Sequence, residues 1–182
     1  MAGVTYETLE GREAEAQLDT LLPTYKEVFA EPPYRDGPKE VAEFIELFHI
    51  QAKRPGCRVV LAREGADVVG FSFGYQLPTD SQWWTALLEP MPEDFTRETN
   101  ERTFAIIDLA VRKPWRRQGI AAGLHSRLLD GLSAERVTLT VRPEPEAAAA
   151  QSAYAAWGYR TVGRSRPWDE APLYDAMVLN LR

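Results

Sequence analysis

The 182-residue chain is poor in several things that would each have declared a chemistry. It has one cysteine, Cys57, so no intrachain disulfide can close, and the simplest compartment this predicts is the cytoplasm. Only two histidines occur, His49 and His125, and no grouping of Cys, His, Asp and Glu has metal-ligand spacing, so no metal is expected. A Gly-x-Ser-x-Gly nucleophile elbow is missing, as is a Gly-x-x-x-x-Gly-Lys phosphate loop. No apolar run nears the roughly 18 residues of a membrane span, and the N-terminal stretch is neither basic nor apolar, so neither a membrane partner nor an export signal is expected. Positive charge is in deficit: 21 Lys and Arg against 27 Asp and Glu give a net charge of −6. That speaks against nucleic acid as a partner, because such binding rests on neutralising phosphates.

What is present suits one soluble domain spanning residues 1–182, with 45% hydrophobic and 26% charged residues. Residues 4–9 alternate and predict an edge strand. Leu18, Leu21, Leu22, Tyr25, Val28 and Phe29 recur at helical spacing, interrupted by Pro23, which predicts a kink or two short helices meeting there. The stiff connector Glu31-Pro32-Pro33-Tyr34-Arg35-Asp36-Gly37 leads to Pro38, suited to a first helical position, and to a second helix with Val41, Phe44, Ile45 and Phe48 on one side. Residues 57–63 and 67–76 read as a hairpin of strands. Val69, Phe71, Phe73 and Tyr75 fall on one face of the second strand. Small residues, Gly70, Ser72 and Gly74, fall on the other, which predicts a closely packed helix there. Residues 77–102 form the longest irregular connection, with a short helix expected over 81–88; its Trp83-Trp84 pair suits a lid or an oligomer contact.

Residues 103–111 are apolar on both faces apart from Asp108, as in a strand covered on two sides. Next comes the basic turn Arg112-Lys113-Pro114-Trp115-Arg116-Arg117-Gln118-Gly119, and then a helix with Ile120, Leu124, Leu128 and Leu132 in one stripe. A helix start offers free N–H groups and partial positive charge, so four cations gathered there in an acidic chain point to phosphate. Downstream, residues 136–141 read as a strand, an alanine-rich helix carries Tyr154, and Gly158 ends it before strands at 160–163 and 172–181.

Arg116-x-x-Gly119-x-Ala121 after a Leu109-Ala110-Val111 strand end resembles the acyl-CoA-binding motif of the GNAT superfamily of N-acetyltransferases. The helix tyrosine Tyr154 followed by Gly158-Tyr159 is similar to that superfamily's second half, so the resemblance covers residues from about 67 to the C-terminus. It implies an α/β fold with a mixed, mostly antiparallel central sheet flanked by helices, and acetyl-CoA as co-substrate. It also implies direct acetyl transfer to a primary amine, a small metabolite, an antibiotic or a peptide. Homodimers are common among such proteins. Backbone amides of Arg116, Arg117, Gln118, Gly119, Ile120 and Ala121 would hold the diphosphate, and Leu109, Ala110 and Val111 the pantetheine arm.

In the same resemblance Tyr154 protonates the leaving thiolate; a phenol of ordinary pKa near 10 stays protonated at neutral pH. Asp108, the sole carboxylate in its strand, is the candidate base, because burial raises a carboxyl's pKa. An acid at this place resembles the aminoglycoside-acetylating branch, where it lies near substrate. Strand alternation sets Asp108 opposite Leu109 and Val111, a parity that a bulge would change. Glu31 is the reserve base. The resemblance also implies that the first two helices and their connector form one wall of the acceptor pocket, so Phe29, Glu31 and Tyr34, with Tyr25 beside them, are substrate-binding candidates, and Trp84 of the long connection is another. The departure from the pattern is Ala147, where many members carry asparagine. The alternative reading is a non-catalytic acyl-CoA-binding sensor or interaction domain with the same fold.

Overall fold

The computed structural model describes residues 3–182. Seven strands form one mixed sheet in the order β1-β2-β3-β4-β5-β7-β6. They are β1 (Val4–Glu10), β2 (Arg58–Glu64), β3 (Asp67–Gln76), β4 (Thr103–Val111), β5 (Arg136–Val141), β6 (Arg160–Ser165) and β7 (Tyr174–Asn180). The helices are α1 (Gly11–Glu15), α2 (Leu18–Phe29), α3 (Pro38–Gln51), α4 (Glu93–Thr96), α5 (Ile120–Leu129) and α6 (Ala148–Ala156). β1 with β2, β2 with β3, β5 with β7 and β6 with β7 pair antiparallel, while β4 and β5 pair in parallel over Thr103–Ala105. This is the expected α/β architecture. The chain divides into two compact units, one of residues up to Tyr75 with Ile106–Leu132, the other of Gln76–Ala105 with Ser133–Arg182.

The first unit is built on aromatic packing. Tyr25 of α2 stacks on Phe44 of α3 with ring centroids 3.7 Å apart, and Phe48 meets Phe73 of β3 edge-on at 5.2 Å. Phe48, Phe71 and Phe73 are wholly buried, each contributing on the order of 2–3 kcal/mol of apolar burial. The small face of β3 does receive a helix: a Cβ at Gly70 would lie 3.2 Å from Leu124 of α5 and 2.8 Å from the carbonyl of Ala110. β1 forms the sheet edge, as its alternation predicts.

Three expectations are corrected. Two short helices do not meet at Pro23: α2 is one helix from Leu18 to Phe29, because Pro23 and Asp19, whose carbonyl loses its N–H donor, lie on the exposed side. The break falls earlier, between α1 and α2. Leu132 lies beyond the end of α5, so the buried stripe is Ile120, Leu124 and Leu128. Only a single helical turn, Trp84–Ala86, forms within 81–88, although Ser81 Oγ does accept the Trp83 N–H at 3.2 Å. Strand-like pairing wins there, with Leu88 N–H donating to Arg164 O and Arg166 N–H to Ala86 O.

In the second unit β7 lies between β5 and β6, leaving β6 at the edge. Its buried polar centre joins the irregular segment to the strands. Arg136 Nη2 pairs with Glu98 Oε2 at 3.0 Å, and its Nε donates to Thr103 Oγ1 at 2.8 Å. The guanidinium lies 4.5 Å from the ring centroid of Phe95 and 4.9 Å from that of Trp84. The Trp84 indole N–H donates to Glu98 Oε2 at 2.7 Å.

Candidate active site

Burial along β4 changes where the chemistry is expected. Thr103 to Ile106 are buried, whereas Ile107, Asp108 and Leu109 are all half-buried, so neither face is closed over that stretch. Ala110 and Val111 return to the core, and a helical turn at Lys113–Trp115 leads to the segment before α5. Arg117 has φ +65° and Gly119 φ +80°. A left-handed residue followed by helical Ile120 points successive N–H groups the same way, and the α5 dipole adds partial positive charge. Arg117, Gln118 and Gly119 are exposed, Ala121 is half-buried, and buried Ile120 anchors the turn. A Cβ built on Gly119 meets nothing within 4 Å, so the outer side of the turn is open.

The arginines of this turn do not stand alone. Arg116 Nε donates to the Val111 carbonyl at 2.8 Å, and its two terminal nitrogens meet both carboxylate oxygens of Glu31, at 2.5 and 3.3 Å. Arg112 pairs with Glu27 at 2.5 Å, and the Trp115 indole N–H donates to Glu64 at 2.9 Å. Two residues predicted separately, Arg116 for the cofactor and Glu31 for the substrate, are thus one ion pair.

Asp108 lies in an acidic and aromatic setting. Burial pushes its carboxyl up to about 7 from 3.8, and the negative charge of Asp36 adds to the effect. The Tyr25 hydroxyl donates to Asp36 Oδ2 at 2.8 Å. Burial, then the charges of Asp108 and Asp36, hold that phenol far above its ordinary value, so it remains a donor. Ser72 Oγ–H donates to the backbone carbonyl of Asp108 at 2.8 Å, fixing the strand there. Phe29 and Tyr34 flank the same connector, their ring centroids 4.8 Å apart and that of Phe29 4.5 Å from Tyr25. Asp36 was not singled out by sequence, although it lies in the connector that also supplied Glu31 and Tyr34.

Tyr154 belongs to the second unit, half-buried on the last turn of α6. Gly158 takes φ +99°, its N–H donates to Ala155 O, and the Tyr159 N–H donates back to Tyr154 O at 3.0 Å. This paired closure is a Schellman cap, and it fixes the backbone that carries the phenol. Trp157 and Tyr159 pack edge-on against the Tyr154 ring at 5.7 and 5.8 Å. Ala147 is buried in the turn before α6. Trp84, expected at the substrate, has its indole N–H and ring engaged by Glu98 and Arg136 inside the second unit, which makes it a packing residue there. His125 is buried and its pKa falls to about 4, so it is neutral at pH 7; His49 is exposed on α3.

A half-open strand ending in a glycine turn at a helix start is the arrangement that the sequence resemblance leads one to expect. The model of the acetyltransferase (GNAT) family matches residues 18–159, and the chain belongs to that family. Solved structures agree on the fold. A protein of Pyrococcus horikoshii, PH1933, is 19% identical with a TM-score of 0.68, and the match covers 99% of each chain. Salmonella typhimurium yncA, solved with acetyl-CoA, is 14% identical with a TM-score of 0.58 over 99% of this chain and 95% of its own. An aminoglycoside acetyltransferase from an uncultured soil sample is 23% identical with a TM-score of 0.57, over 87% and 92% of the two chains. No curated protein matches the chain.

Proposed function

We propose that this chain transfers the acetyl group of acetyl-CoA directly to a primary amine, a small cationic acceptor being favoured. The observation that carries the reading is the turn at 116–121, exposed and left-handed at Gly119, directly after the half-open stretch of β4 in a GNAT chain. Its donors are backbone N–H groups at a helix start, with Lys113 and Arg117 exposed beside them, and that set fits a diphosphate. Bound there, acetyl-CoA would supply an activated thioester.

The chain's own residues then have separate tasks. Leu109, Ala110 and Val111 of β4 offer backbone groups to the pantetheine arm. The backbone N–H near Leu109 serves the thioester oxygen as negative charge develops on it. Asp108, with its pKa raised to about 7, accepts a proton from the acceptor ammonium near neutral pH. The nitrogen lone pair forms the new C–N bond, the C–S bond breaks, and Tyr154 gives its phenolic proton to the departing sulfur. The second N–H proton, lost from nitrogen as the amide forms, passes through solvent to the tyrosinate and restores it. One net proton remains on Asp108 and leaves to bulk. Aromatic Phe29 and Tyr34, with acidic Asp36, suit a cationic acceptor. The yncA structure contains acetyl-CoA and one fold relative acts on aminoglycosides, and both support this choice.

A thiol-release assay with acetyl-CoA over aminoglycosides, amino acids and short peptides tests the reaction, beside calorimetric titration of coenzyme A into the protein and Gly119→Val. Amine-dependent release and loss of coenzyme binding in a folded G119V are expected. Undiminished coenzyme binding by G119V would overturn the assignment of the turn.

A further inference from the structure

We propose that Glu31 is a positioning residue for the coenzyme turn: through Arg116 it clamps the turn to the ends of α2 and β4, and the Arg116 side chain is no phosphate ligand. The inference rests on the reading of the 116–121 turn as the diphosphate site. Its first support is the way the Arg116 guanidinium is held. Of the five N–H groups in its rigid fork three are engaged, one on each nitrogen, by Val111 O and the two oxygens of the Glu31 carboxylate. Turning it toward a phosphate would break three hydrogen bonds and leave a half-buried carboxylate without its cation.

The second support is that Glu31 is itself fixed. Its N–H donates to Val28 O, and its carbonyl accepts the N–H groups of Tyr34 and Arg35, so the carboxylate projects from a closed turn. The third is a parallel tie. Glu27 and Glu31, four apart, receive Arg112 and Arg116, also four apart, while Glu64 holds Trp115 between them. The segment preceding Gly119 is thus tied at three side chains, leaving exposed Arg117 and the backbone N–H groups to face the ligand.

The test uses Glu31→Gln, which keeps size and removes charge, with Arg116→Gln and the double variant. Amide hydrogen exchange over 116–121 in the ligand-free protein, calorimetric titration with coenzyme A, and KM for acetyl-CoA and for the acceptor are measured. A clamp predicts faster exchange in E31Q and coenzyme affinity weakened by about fivefold. The acetyl-CoA KM should rise by a similar factor, more than kcat falls. The double variant should be no worse than either single one, because both break one contact. Tighter coenzyme binding by E31Q would show that Glu31 competes with phosphate for Arg116, and would overturn the clamp. A raised acceptor KM with unchanged exchange and coenzyme affinity would overturn it too, making Glu31 an acceptor contact. If the parent itself bound no coenzyme A, the proposed function would fail, while exchange rates in the ligand-free variants would still decide the clamp.

Discussion

Replacing Asp108 with asparagine is expected to remove the base and, at the same time, to make the folded protein more tolerant of alkaline pH. Folding holds this carboxyl at about 7 against 3.8 for the ordinary side chain. A raised carboxyl favours the native state fully below the unfolded value, and that contribution is lost as pH climbs through the folded one. The Asp108 contribution to parent stability therefore declines between about pH 4 and about pH 7, where the unfolded chain has shed this proton and the native chain has not. The full displacement corresponds to roughly 4 kcal/mol, but Asp108 keeps partial contact with water, so about 1–2 kcal/mol is the expected size. The carboxamide of D108N cannot ionise and carries no such slope. Urea denaturation of both proteins from about pH 4.5 to about pH 8 reads the difference directly, since every other titrating group is shared. The D108N advantage should grow across that interval and level off above it. Parallel stability curves would refute the buried-carboxyl argument.

Tyr154→Phe should lower kcat by about a hundredfold with little change in acetyl-CoA KM, measured by thiol release. Arg136→Met, which leaves the Glu98 carboxylate and the Trp84 and Thr103 groups around it without their cation, should cost about 3–5 kcal/mol in urea denaturation. Adding Glu98→Gln to it should recover part of that loss. Gly70→Ala puts a methyl 2.8 Å from the Ala110 carbonyl, so β3 and β4 must shift, at about 1–3 kcal/mol by the same measurement.

The sequence was most legible where short-range rules suffice. β4 begins and ends at the predicted residues, because an apolar run is bounded by Arg102 on one side and Arg112-Lys113-Pro114 on the other. Gly158 takes the left-handed conformation that its place at a helix end calls for, whereas the left-handed Gly119 at a helix start follows from no such rule. Pro23 misled because local rules do not say which side of a helix faces water. The Arg116–Glu31 pair joins residues 85 positions apart, and no spacing rule announces it. Asp36 escaped notice for a similar reason: its link to Asp108 exists only once α2 and α3 are folded over the strand. Trp84 was expected at the substrate because a tryptophan pair in a long irregular connection suits a lid or an oligomer contact, whereas its partners, Glu98 and Arg136, come from elsewhere in the chain.

The Schellman closure of α6 also sets where that helix can change length. Tyr154 is locked from behind, through Gly158 and Tyr159 to the first residue of β6, rather than from the alanine end. Added or deleted alanines near residue 148 would lengthen or shorten the helix ahead of Tyr154 and leave its bearing intact. One residue inserted between Tyr154 and Gly158 would instead swing the phenol by about 100° about the helix axis. Loop grafts aimed at new acceptors thus have a permissive side and a forbidden side within a single nine-residue helix.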